Sequence, residues 1–176
     1  MGLRALVGVE NANGTYRARS VQTDGCPTVI VPVLSTLVHD VHGHDLAAAI
    51  AYLMRTDWWR LSLLPAPPER GGDVLADPLD SGAAVHTERL DAAIAGDFQW
   101  AYLIRQDQLR VYLAVHVDAD GRRWEPWGSW PVRALPDMAF GLLLDVQRCG
   151  YARQWQAQDH LLYLDAVRER FGQVTA

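Results

Sequence analysis

The sequence predicts an α+β fold, an antiparallel sheet of two hairpins or a meander with about four helices packed on it. Two stretches, residues 3–22 and 100–117, alternate apolar and polar side chains at a period of two, which is typical of half-buried strands. After each stretch, apolar residues recur at helical spacing, so strands and helices come in blocks. The length of 176 residues fits a single domain over 1–176, with a long loop around 65–84.

The first elements are predicted to be two antiparallel strands. Leu3, Ala5, Val7 and Val9 fall on one side of a strand, and Asn13-Gly14 is a strong hairpin-turn signal. The stretch "TYRARSVQ" alternates again, and Asp24-Gly25 marks a second turn.

Two helices are expected next. Pro32 suits a first helical position, where its missing N–H costs nothing, and apolar residues follow at i, i+3, i+4 and i+7 up to Val41. Asp45 is a good N-cap for a second helix that starts at Leu46. The stretch "DWWRLSLL" fits either a short strand or a helix tail. The loop around 65–84, rich in proline and glycine, leads to one short strand at 83–86.

The clearest strand signals are central, and the clearest helix signals follow them. Trp100, Tyr102 and Ile104 alternate with small or polar residues, and an alternating run over 109–117 follows a turn at 105–108, so we expect an antiparallel meander. Pro136 then starts a helix that Gly150 ends, and a last helix covers 151–171.

Composition restricts the class of partner. The net charge is −5, so binding of nucleic acid is not expected. All 16 basic residues are arginine, and we draw no function from that. No apolar run approaches the length of about 20 residues that spans a bilayer. Cys26 and Cys149 show no disulfide or metal spacing. We therefore expect a cytoplasmic protein without cofactor or membrane contact that binds a protein partner or itself.

Cys26 lies in the turn "DGCP" and has two interpretations. As the nucleophile of an enzyme it would need a base such as His39 or His116. As a structural residue it would be a small buried side chain at a corner of the chain. We favour the second interpretation, a structural residue at a corner of the chain.

A histidine cluster, His39, His42 and His44, lies in the stretch "HDVHGHD". Histidine and carboxylate side chains are good zinc or iron ligands. The order His-x-His-Asp differs from the His-x-His-x-Asp-His of metallohydrolases, however. We therefore expect a solvated loop between two helices and no metal.

The seven tryptophans are the main positive signal for binding. Trp124, Trp127 and Trp130 follow one another at i, i+3 and i+6, and the proline and glycine between them argue against a helix. We expect an irregular segment with an aromatic binding surface, and the alternative is that these rings belong to the core. The predicted binding residues are Trp58, Trp59, Trp124, Trp127, Trp130, Arg122, Arg123 and Asp24.

The N-terminal residues resemble an uncharacterised family of phage and bacterial proteins. That family opens Met-Gly-Thr-Arg and carries a His-Trp-Asp-Gly-Tyr-Pro motif. The matching residues here are Met1, Gly2, Arg4, Gly8, Gly14, Asp24, Gly25 and Pro27. Gln22, Thr23 and Cys26 stand in place of the family's His, Trp and Tyr, so no role of those three is carried over. The resemblance implies a hairpin followed by a helix and an origin in a phage or mobile element. The family supplies no activity that could be carried over to this chain.

The sequence therefore favours a non-catalytic binding or accessory module of a phage or mobile element that uses an aromatic surface. One alternative is a small hydrolase-like enzyme that uses Cys26 or a histidine-based metal site. Another is a structural subunit of a homo-oligomer. No phosphate-binding glycine loop or nucleophile-elbow motif occurs, so we favour a protein that is not an enzyme.

Overall fold

A computed structural model of the chain describes residues 3–62, 76–116 and 121–137. Its strands are β1 (Ala5–Glu10), β2 (Thr15–Thr23), β3 (Asp57–Leu61), β4 (Ala76–Leu79), β5 (His86–Arg89), β6 (Trp100–Arg105), β7 (Gln108–His116) and β8 (Arg122–Pro131). Its α-helices are α1 (Pro27–Thr36) and α2 (Leu46–Leu53). A π-helical turn, Leu37–Val41, lies between them, and a 3-10 segment, Val132–Asp137, follows β8.

All eight strands belong to one mixed sheet. Their order is β4-β3-β2-β1-β6-β7-β8, and β5 pairs with β2. The pairs β1–β6 and β2–β3 are parallel, and the other pairs are antiparallel. The hairpins β1–β2 and β6–β7 confirm that the two stretches with a period of two form strands. The predicted antiparallel sheet with about four helices is wrong, because β1 of the first hairpin pairs in parallel with β6 of the second.

The predicted helices differ from the observed ones in their bounds and in their number. α1 begins at Pro27, since Cys26 is extended and occupies the N-cap position. Pro32 lies inside the helix, where a proline removes one backbone hydrogen bond. The described part of the chain contains two α-helices rather than four. The helices predicted from Pro136 onward lie outside the described residues, except that Val132–Asp137 is a 3-10 segment.

The Asp45 cap is confirmed. Its side-chain oxygen Oδ1 accepts a hydrogen bond from the backbone N–H of Ala48 at 2.9 Å, and α2 follows directly. Such a bond satisfies one of the N–H groups that the first turn of a helix leaves without a partner.

The sheet has a core on each side. We call the side that packs against α1 and α2 the helical face, and the other side the opposite face. The helical-face core includes Val7, Val21, Ile30, Leu34, Leu53, Trp58, Trp100, Tyr102 and Trp127. The opposite-face core consists of Leu6, Tyr16, Ala18, Phe98, Ala101, Leu103, Tyr112, Ala114 and Trp124. β1, in the middle of the strand order, contributes to both cores.

Two segments predicted to be irregular contain strands. β4 lies within the predicted loop around 65–84, of which residues 65–75 are outside the described chain. The tryptophan-rich segment forms β8, at one end of the strand order, where proline is tolerated. A bulge adapts it to β7: Tyr112 faces Pro126, Val111 faces Gly128, and Trp127 is the extra residue between them.

In the described part of the chain, no helix combines the length and the apolar character needed to cross a membrane.

Candidate functional site

A buried carboxylate with three donors lies on the opposite face. Glu10, at the end of β1, is 7% exposed. Its oxygen Oε1 accepts hydrogen bonds from Nη1 of Arg105 at 3.1 Å and from Nη1 of Arg110 at 3.0 Å. Its oxygen Oε2 accepts one from the hydroxyl of Tyr112 at 2.7 Å. We call these four residues the Glu10 cluster.

The sheet topology brings the cluster together. β1 and β6 run in parallel with Val9 beside Ile104, so their carboxyl ends lie at the same edge of the sheet. The tight turn from β6 to β7 pairs Arg105 with Gln108 at that edge. Because side chains alternate along a strand, Glu10 and Arg110 point to the same face. Residues about 100 positions apart therefore share one carboxylate.

The Glu10 cluster has an excess of positive charge. Two guanidinium groups, which stay charged in proteins, face one carboxylate. The side chains of Arg105 and Arg110 are 33% and 36% exposed, so both reach solvent while Glu10 does not. Burial raises the pKa of Tyr112 to about 12, and its hydrogen bond to Glu10 acts in the same direction. At neutral pH the Tyr112 hydroxyl is therefore an uncharged donor.

A cleft adjoins the cluster at the β7–β8 bulge. Its volume is about 280 Å³, and its lining consists of Arg110, Val111, Tyr112, Pro126, Trp127, Gly128 and Ser129. Arg110 and Tyr112 belong to both the cluster and the cleft. Within the described ranges, the Nε of Arg110 is buried and has no acceptor, so the exposed part of this guanidinium lies elsewhere, at its other nitrogens. The cleft thus offers a cationic fork beside aromatic and proline surfaces.

The bulge shapes this cleft. Trp127, the extra residue, turns its ring into the helical-face core and meets Trp100 edge-to-face, with ring centroids 5.9 Å apart. The ring of Trp130 lies over Gly128, where an added Cβ would come within 2.2 Å of Trp130 Cη2. A larger residue at position 128 would therefore require the Trp130 ring to move.

The predicted aromatic surface is divided between the two faces of the sheet. Trp124 is 6% exposed and belongs to the opposite-face core, whereas Trp127 and Trp130 pack with the helical-face core. Trp58 is fully buried on β3, and its neighbour Trp59 is 39% exposed. These five rings are therefore not brought together as one exposed surface. Period-two alternation in β8, interrupted by the bulge, sends neighbouring rings to different sides.

The other predicted binding residues also lie apart. Arg122 donates hydrogen bonds to the carbonyl oxygens of Phe98, at 3.0 Å, and Gly96, which ties β8 to the segment before β6. Arg123 is exposed on β8. Asp24 is exposed at the corner between β2 and α1, with a positive φ of 57°.

The "DGCP" stretch is a tightly packed corner. The N–H of Gly25 donates to the carbonyl of Leu3 at 2.9 Å, and its carbonyl accepts from the hydroxyl of Tyr102 at 2.9 Å. A Cβ on Gly25 would lie 2.6 Å from the Cβ of Ala5, so the corner requires glycine. Cys26 is 7% exposed, and its sulfur lies 3.9 Å from the carbonyl oxygen of Asp24. The packing agrees with a structural role for Cys26.

Two histidines of the predicted loop, His39 and His44, are in contact. Nδ1 of His39 and Nδ1 of His44 are 2.8 Å apart, and Nε2 of His39 lies 3.1 Å from the carbonyl oxygen of Val132. The ring of His42 instead packs on Tyr52, with ring centroids 5.7 Å apart. Across residues 3–62, 76–116 and 121–137, no three His, Cys, Asp or Glu side chains group so as to hold a metal ion.

Sequence reasoning missed the Glu10 cluster. Arg110 alternates with the apolar residues of β7, which by itself predicts a solvent-facing side chain. The available signal was Glu10, an acidic residue at the end of an otherwise apolar strand and on the same side as Leu6. That signal points to the cluster only when the parallel pairing of β1 with β6 is known.

No protein-family model, curated protein or solved structure was found to match this chain. The N-terminal resemblance to a phage and bacterial family, and the origin that it implies, stay predictions.

Proposed function

We propose that this protein is a non-catalytic binding module that holds a small anionic molecule in the cleft beside the Glu10 cluster. The observation that carries the proposal is the position of Arg110. It lines the cleft, its side chain is 36% exposed, and it shares a single carboxylate with a second arginine. Arginine presents a planar fork that matches carboxylate and phosphate groups.

The geometry supports binding rather than proton transfer. Both oxygens of Glu10 already accept hydrogen bonds, two of them from charged donors. Hydrogen bonds to charged groups are the strong ones, so this carboxylate fixes the arginine side chains in place. A fixed guanidinium loses little conformational entropy when it binds an anion, which favours affinity.

The cleft also limits the size and shape of the ligand. A volume of about 280 Å³ is near the lower end of the range for small-molecule sites, roughly 300–1,000 Å³. Tyr112 and Pro126 add apolar surface to the lining, and the hydroxyl of Ser129 already donates a hydrogen bond to Oε1 of Gln108 at 3.4 Å. A small ring that carries one anionic group fits this lining.

Benzoate is a suitable probe, and Arg110→Gln is the variant that tests the site. We expect isothermal titration calorimetry to show binding of benzoate to the unaltered protein. We expect Arg110→Gln to weaken that binding by about tenfold or more, since a hydrogen bond to a charged group contributes about 1.5–3 kcal/mol. The far-ultraviolet circular dichroism spectrum checks that the variant is folded.

Arg89→Gln is the matched control for this experiment. Arg89 forms an exposed ion pair with Asp91 and lies on β5, away from the cleft lining. Its replacement should leave benzoate affinity unchanged. Failure of the unaltered protein to bind benzoate, or equal losses in the two variants, would leave the Glu10 cluster with only a structural role.

The other functions considered from the sequence remain predictions. These are a hydrolase-like enzyme based on Cys26 or a histidine-bound metal, and a homo-oligomer subunit. The buried position of Cys26 and the separation of His42 from the His39–His44 pair favour neither enzyme.

A further inference from the structure

We infer that the cleft selects a singly charged carboxylate over a doubly charged phosphate monoester. This inference rests on the proposed function and names the chemical class of its ligand. It follows from the charges that meet at Glu10 rather than from the shape of the cleft.

The charge balance of the Glu10 cluster is the first argument. Arg105 and Arg110 contribute two positive charges, Glu10 one negative charge, and Tyr112 none at neutral pH. One carboxylate on Arg110 would make the whole group neutral. A phosphate monoester, which carries close to two negative charges above pH 7, would leave one negative charge in excess.

The position of Glu10 is the second argument. Its carboxylate is buried and lies in direct contact with the guanidinium that lines the cleft. Any anion held by Arg110 therefore lies close to a fixed negative charge that water screens poorly. Repulsion from Glu10 grows with the charge of the ligand, whereas a single negative charge is offset by the second arginine.

The donors in the cleft are the third argument. Nη1 of Arg110 donates to Glu10 and Nε is buried, which leaves the remaining N–H groups of the two terminal nitrogens for the ligand. A planar fork pairs with the two oxygens of one carboxylate. The hydroxyl of Ser129, also in the lining, already donates to Oε1 of Gln108. One guanidinium beside apolar side chains suits an aromatic carboxylate.

Benzoate and phenyl phosphate form a matched pair for the test, because they share a ring and differ in the charged group. At pH 8 we expect calorimetry to give tighter binding of benzoate than of phenyl phosphate to the unaltered protein. We expect Glu10→Gln to shift the affinity ratio toward phenyl phosphate by about fourfold or more, the scale of one unit-charge interaction across a few ångströms of water.

Arg105→Gln is the second variant and should act in the opposite direction. It removes a positive charge that does not line the cleft, so phenyl phosphate should lose more affinity than benzoate does. This variant keeps the test decisive if Glu10→Gln fails to fold.

The outcomes separate the two proposals. Tighter binding of phenyl phosphate than of benzoate by the unaltered protein, lost in Arg110→Gln, would overturn the selectivity and keep the anion site. The selectivity would also be overturned if neither Glu10→Gln nor Arg105→Gln changed the ratio of the benzoate and phenyl phosphate affinities. Absence of binding of both probes would overturn the selectivity together with the proposed function.

Discussion

Replacing Trp127 with alanine is expected to lower the free energy of unfolding by about 3–5 kcal/mol, the usual cost of removing a large buried aromatic side chain. The side chain of Trp127 is 8% exposed and meets the ring of Trp100 in the helical-face core. The bulge in β8 makes Trp127 the extra residue of the strand and so sets this orientation. Equilibrium denaturation in urea measures the difference between variant and unaltered protein.

Trp59→Ala is the matched control, since it makes the same chemical change on β3 at a side chain that is 39% exposed. We expect it to change stability by less than about 1 kcal/mol. A comparable, small effect of both substitutions would show that Trp127 is not a core residue. It would also restore the interpretation of the tryptophan-rich segment as a binding surface.

Glu10→Ala is expected to produce the second large effect, a loss of about 2–4 kcal/mol in the free energy of unfolding. Removing one partner of a buried ion pair typically costs about 3–5 kcal/mol. The two arginines of the cluster are partly exposed, so water offsets some of that cost. The Tyr112 hydroxyl would lose its acceptor inside the opposite-face core. Urea denaturation at pH 7 measures this loss.

An exposed ion pair provides the comparison for Glu10→Ala. Asp91 pairs with Arg89 at 2.8 Å on the surface, and exposed pairs of this kind contribute little to stability. Asp91→Ala should therefore cost much less than Glu10→Ala. Equal effects would mean that the Glu10 cluster does not connect β1 to β6 and β7 in the way described.

Local signals in the sequence predicted the local structure well. The Asn13-Gly14 turn and the alternation around it define the β1–β2 hairpin, and Asp45 caps α2. Each of these features depends on residues that are close together in the chain. The prediction for α1 failed at its start, because Pro27 and Pro32 both suit a first helical position and the corner at Gly25 selects the earlier one.

The pairing of distant strands could not be predicted in the same way. Nothing in the alternation of β1 distinguishes an antiparallel neighbour from the parallel neighbour β6, which starts 90 residues after β1 ends. Pro126 and Gly128 disfavour a regular strand, and the bulge that accommodates them depends on β7. The same long-range pairing creates the Glu10 cluster, so the candidate site was as hard to predict as the sheet order.

The structure of the protein with benzoate bound tests the central claim most directly. We predict that the carboxylate lies within hydrogen-bond distance of the Arg110 guanidinium, about 2.7–3.2 Å between nitrogen and oxygen. We also predict that the ring lies against Tyr112 and Pro126 in the cleft. Benzoate bound at another place, with the cleft empty at a saturating concentration, would contradict the assignment of this cleft as the anion site.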